Sequence, residues 1–152
     1  MEKNKPIIHP SSRELEVLET LWKADRSLTG TEIVESSPNK TWKESTIHIL
    51  LKSLIKKSLI KVDGFAQTTT NIAKTFTPLI SANEFLASQI SYSSIYRDSG
   101  QVSFGSVVAT LLKQSEDVTE KQQLVDELKK IIDEIDDEEI KEIEEKTKPK
   151  EH

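Results

Sequence analysis

The chain's three histidines stand at positions 9, 48 and 152, and none is followed three or four residues on by a second metal ligand. There is no cysteine, which excludes a thiolate metal site, a thiol nucleophile and a disulfide framework. Four glycines, at 30, 64, 100 and 105, form no loop able to cradle a phosphate. Carboxylates crowd the stretch from Glu116 to Glu145, but nothing apolar isolates one of them to raise its pKa, so a solvated acidic face is expected there rather than a general acid/base pair. These absences point away from an enzyme, and no metal or cofactor is expected. The chemistry that remains is recognition of a polyanion. On a helix through residues 41–57, Ser45, His48, Ile49, Lys52, Ser53 and Lys56 share one side, opposite Ile47, Leu50, Leu51, Leu54 and Ile55. Ammonium groups suit phosphates, while short hydroxyls and an exposed methyl suit base edges. An ordinary amphipathic helix with a solvated lysine face would read the same way, so the surrounding elements must decide.

Helix starts are marked by a hydroxyl residue with Glu or Gln three positions on. Five such boxes occur: Ser11/Glu14, Thr29/Glu32, Thr41/Glu44, Ser81/Glu84 and Thr119/Gln122. The first opens a helix with Leu15, Leu18, Leu21 and Trp22 on its apolar side, ending near Ala24. The second opens a short helix to about Ser36 that buries Ile33, and the third opens the basic-faced helix to about Lys57. The fourth carries Phe85, Leu86 and Ile90, and the last runs to about Glu145. A helix over 103–113 lacks a box but keeps the period through Phe104, Val107, Val108, Leu111 and Leu112.

Residues 58–63 alternate like a strand, Gly64 begins a polar loop, and 72–79 alternate again until Pro78 closes the pairing. Leu28 is placed to add a very short strand at the edge. Three helices and then a hairpin, with the basic face on the third helix, is the layout of a winged helix-turn-helix. That order favours DNA over a merely solvated face. The fold class expected is mainly α with a small β-hairpin: a winged helix-turn-helix DNA-binding domain over 1–80, then an α-helical dimerisation domain over 81–152.

Charge divides the same way. Residues 1–80 carry 12 Lys and Arg against 9 Asp and Glu, whereas 81–152 carry 9 against 17. In the last helix Leu124, Leu128, Ile131 and Ile135 step by four, three and four, a seam suited to a partner helix. Phe85 and Leu86 form a second candidate dimer contact. A monomeric three-helix bundle is the alternative. Residues 91–101 read as a surface loop and 146–152 as a frayed tail. The chain opens without the apolar core of a signal peptide and has no run near membrane-span length, so a cytoplasmic protein with no membrane insertion is expected.

The blocks Glu14-Leu-Glu-Val-Leu-Glu-Thr-Leu-Trp22, Leu28-Thr-Gly-Thr-Glu-Ile33, Trp42-Lys-Glu-Ser-Thr-Ile47, Leu50-Leu-Lys-Ser-Leu-Ile-Lys-Lys57 and Phe76-Thr-Pro-Leu-Ile-Ser81 resemble the penicillinase-repressor family (BlaI/MecI/CopY). The match keeps order and spacing over roughly 11–82. The resemblance implies a homodimeric transcription repressor whose winged helix binds operator DNA. The expected DNA contacts are Ser45, Thr46, His48, Ile49, Lys52 and Ser53 at or near base edges, with Lys43, Lys56, Lys61 and Lys74 at phosphates. Relatives commonly carry Lys, Arg, Thr and Arg on the face where this chain has Ser45, His48, Ile49 and Ser53, with Thr46 alone kept, so the operator sequence is its own. Ser58 replaces the glycine that usually ends this helix, and the paired cysteines of copper-responsive relatives are missing. Relatives of the β-lactam branch are released by proteolysis at an Asn-Phe bond, through a membrane-bound sensor-protease. This chain has no such pair, and the aligned position falls near Ala109, Thr110 and Leu111, within 103–113. A winged-helix protein–protein interaction module, with Ile49 as a contact residue, is the competing class.

Overall fold

The structure is a computed structural model that describes residues 9–134 and 137–149. Its elements run α1 (Ser12–Ala24), β1 (Leu28–Thr29), α2 (Gly30–Glu35), a 3-10 turn (Glu44–Thr46), α3 (Ile47–Lys56), β2 (Ile60–Gln67), β3 (Ile72–Pro78), α4 (Ala82–Ser91), α5 (Ser94–Asp98), α6 (Phe104–Gln114), α7 (Val118–Glu134) and α8 (Asp137–Thr147). The chain divides into two compact units between Asp98 and Ser99. The first runs past residue 80 because α4 is tied back: Trp22 Nε1 donates to Ile80 O at 2.9 Å, and the Trp22 and Phe85 rings stack at 5.7 Å. The segment read as a loop over 91–101 contains α5.

Capping explains most of the helix starts. Ser11 and Thr29 each form a reciprocal box with Glu14 and Glu32, and Ser81 accepts from Glu84 N. The expected box at Thr41 does not form. Its N–H and hydroxyl are drawn to the Glu16 carboxylate on α1, at 3.0 and 2.6 Å, so the third helix opens later, as a 3-10 turn at Glu44. At α7 the cap is Asp117, which accepts from Thr119 N and Glu120 N, rather than Thr119. A carboxylate two residues earlier takes the place of the hydroxyl.

The core is built by Val17, Leu18 and Leu21 of α1, Leu28, Ile33, Trp42, Ile47, Leu51 and Leu54 of the helix-turn-helix, and Ile60 and Phe76 of the hairpin. Val17 takes the place expected of Leu15, which is half-buried, and Ile55 is 41% exposed rather than core. The sheet has the order β1-β3-β2, with Leu28 paired to Phe76 at the edge, and Ile60 paired to Pro78. β2 does not stop at Gly64. A bulge at Asp63 absorbs one residue and pairing continues to Gln67/Ile72, leaving only 68–71 as the tip. Asp63 accepts from the Ser27 and Thr75 hydroxyls, which holds its carboxyl below the ordinary carboxylate value.

Two polar features fix α3. Glu14, almost fully buried, accepts from Lys57 Nζ at 2.7 Å, from Ser53 Oγ at 2.8 Å and from its own cap residue Ser11 N at 3.2 Å. Burial alone would raise its pKa, but the bonds from Lys57, Ser53 and Ser11, with the Lys57 charge, outweigh it and hold the carboxyl below its ordinary value of 4.5. At the far end Ser58 has φ 58°. Its N–H reaches Ile55 O and Leu59 N reaches Leu54 O, the 5→2 and 6→1 bonds that end a helix on a left-handed residue.

In the second unit neither α6 nor α7 has a buried residue. Leu124 and Leu128 are half-buried and Ile131 and Ile132 exposed. Ile135 lies outside the described residues.

Two outcomes follow. Ser58→Gly removes the Cβ from a left-handed site and should raise stability by about 1 kcal/mol in a urea melt. Glu14→Gln should cost about 2 kcal/mol near neutral pH by leaving Lys57 without its anion. Because the Glu14 pKa is lowered on folding, its contribution is fully present above 4.5 and is lost as pH falls through the folded value. The gap between the two proteins in urea melts should therefore close on acidification, and a gap independent of pH would contradict the network.

Candidate nucleic-acid interface

The outward face of α3 and its preceding turn brings Lys43, Ser45, His48, Ile49, Lys52 and Lys56 to the surface, all exposed. Ile49 is 68% exposed. Lys43, Lys52, Lys56 and Lys74 make no ion pair with any described residue, so their charge is available to an outside anion. Thr46 is half-buried, and its hydroxyl donates to Lys43 O at 2.6 Å, leaving its methyl and lone pairs for contact. Ser53 departs from the expected set. Its hydroxyl is committed to Glu14 and the side chain is half-buried, so it belongs to the helix–helix seam.

The hairpin continues this surface. Cross-strand partners share a face, so Val62/Phe76, Phe65/Lys74 and Gln67/Ile72 all lie on one side. With α3 that side forms a groove of about 370 Å3, lined by His48, Leu51, Lys52, Ile55, Val62, Lys74 and Phe76. Lys74 thus joins Lys52 at one rim. Lys61, paired with Thr77, is on the opposite side of the sheet and is separated from that rim. Sequence reading missed Phe65 on this face because it ended the strand at Gly64. The alternation that resumes after the bulge was the available signal.

The remaining site residues divide by unit. Phe85 is spent on Trp22 within its own unit, whereas Leu86 is exposed. Ala109, Thr110 and Leu111 are exposed on α6. Among the described residues no helix is long and apolar enough to cross a membrane, and no group of three metal-type side chains occurs.

A helix-turn-helix whose third helix is backed by a two-stranded wing defines a winged-helix protein. The sequence model of the penicillinase repressor family matches residues 10–146, nearly the whole chain. The chain belongs to that family of DNA-binding transcription repressors. Among solved structures it is similar to the adhesin competence repressor AdcR of Streptococcus pyogenes, at 17% identity over 86% of this chain and 83% of that one, with a TM-score of 0.38. No curated protein sequence matches it.

The reassignment of Ser53 is testable. Ser53→Ala should lower stability by about 1 kcal/mol yet leave sequence preference intact in a selection from random duplexes, whereas Ile49→Ala should shift the preferred sequence.

Proposed function

We propose that the chain is a homodimeric repressor that reads a pseudo-palindromic operator with two copies of α3 and controls β-lactam resistance or a related stress response. The observation that carries the reading is the set of lysines that pair with no described residue, Lys43, Lys52, Lys56 and Lys74, together with the exposed Ser45, His48 and Ile49, with Lys74, Lys52 and His48 lining one groove. Phosphates would meet the lysines while the short side chains reach base edges in the major groove.

Dimerisation draws support from the second unit. Helices α6 and α7 bury no residue of their own while exposing Phe104, Leu111, Val118, Ile131 and Ile132, and a second copy would cover that apolar surface. The seam of Leu124, Leu128 and Ile131 is the proposed contact, with Leu86 as a secondary one. Two half-sites held by one dimer gain from effective concentration. Release would follow cleavage within 103–113, near Ala109, Thr110 and Leu111, by a membrane-bound sensor-protease. The absence of buried residues in α6 supports this, since opening such a helix for a protease costs little.

The test joins both parts. Lys52→Ala and Lys56→Ala should each weaken binding evenly across sequences and flatten the log–log salt slope by about 1. Leu128→Asp and Ile131→Asp should give monomers in ultracentrifugation and lower operator affinity by on the order of 100-fold. Unchanged slopes in both lysine variants would transfer the surface to a protein partner, with Ile49 as its contact.

A further inference from the structure

The face of the hairpin that closes the groove does not end where α3 stops covering it. Along it the exposure climbs from Phe76 at 8% and Val62 at 37% to Phe65 at 69% and Ile72 at 73%. Phe65 and Ile72 are diagonal cross-strand neighbours, within reach of one another, and neither belongs to the buried core. Between Val62 and Ala73 there is no Lys or Arg, and the single carboxylate, Asp63, is occupied by Ser27 and Thr75. The tip instead presents amides and hydroxyls: Gln67, Thr69, Thr70 and Asn71.

We infer that the wing enters the minor groove beside each half-site and that Phe65 and Ile72 act there as an apolar wedge that unstacks and kinks a base step. The inference rests on the DNA-binding reading above. A wing that clamped phosphates would carry its cations at the tip. Here the only cation on that face is Lys74, level with Phe65 and two residues back from Ile72, placed to hold the phosphate chain bordering the groove that the tip enters. Apolar side chains that press between base steps, flanked by amides that read the groove floor, are the chemistry of minor-groove binding. The reach is sufficient. Four residues of strand from Phe76 to Ile72 span about 13 Å, against a major groove about 12 Å wide. An ordinary protein partner fits less well, because the apolar strip is continuous with the unpaired Lys52 and Lys74 at the rim, which select an anion.

A wedge has a signature that a phosphate clamp lacks, since kinking is easiest at flexible pyrimidine–purine steps. The test takes a duplex recovered by the full-length protein from a random pool and places either a TA or a GC step under the wing, with dyes at the duplex ends to read the bend by energy transfer. The wild type should bend the TA duplex and bind it about 10-fold tighter than the GC one, in line with about 1–3 kcal/mol per altered base pair. Phe65→Ser and Ile72→Ser, both at exposed sites where thermal melting should be unchanged, should lose the bend and the step preference while keeping the wild-type salt slope. Lys52→Ala should weaken both duplexes equally and keep the preference. If both serine variants bend and discriminate as the wild type does, the wedge is overturned while DNA binding stands. If the wild type recovers no DNA, the DNA reading fails and the wedge with it.

Discussion

Much of the first unit depends on one buried carboxylate. Glu14 begins as a cap on its own helix, accepting from Ser11 N, and is then shared with Ser53 and Lys57 at the C-terminal end of α3. An ionised Glu that is nearly inaccessible to water is tolerated only because three donors converge on it. The same residues that satisfy it set the rotation of α3 about its axis. Ser53 and Lys57 are turned inward, and Lys52, Lys56, His48 and Ile49 are therefore turned outward. The charge available at the surface is thus a consequence of a charge neutralised inside.

The opposite end of α3 is set by a similar exchange. Glu16 takes the N–H and hydroxyl of Thr41, which delays the helix and lets Trp42 enter the core before the 3-10 turn begins. Lys43 and Ser45 are left on the approach to the helix rather than within it, beside the N-terminal positions from which a recognition helix reaches base edges. Two carboxylates of α1, Glu14 and Glu16, therefore act on α3, one at each end, and α1 works as a template for it.

The two units carry opposite solutions to burial. In the first, eleven apolar residues close a core around the helices and the sheet. In the second, amphipathic helices cover their apolar positions only in part. A domain of that size has too little interior to bury its own apolar area. The dimerisation proposed above would cover that area, and it would couple folding of the acidic half to avidity of the basic half.

Sequence alone determined the features governed by local physics. The period of the helices, the caps at Ser11, Thr29 and Ser81, the edge strand at Leu28 and the order of helices and hairpin are all written in residues within a few positions of one another. So is the family. Tertiary structure decided whatever depends on a distant competitor: Thr41 yields its cap to Glu16, Ser53 turns from the DNA face to Glu14, and Phe85 is claimed by Trp22. The bulge at Asp63 belongs here too, because one unpaired residue shifts the face of everything beyond it. That shift brings Phe65 into line with Lys74. Local pattern specifies which residues can bond, but only packing brings together the groups among which each must choose.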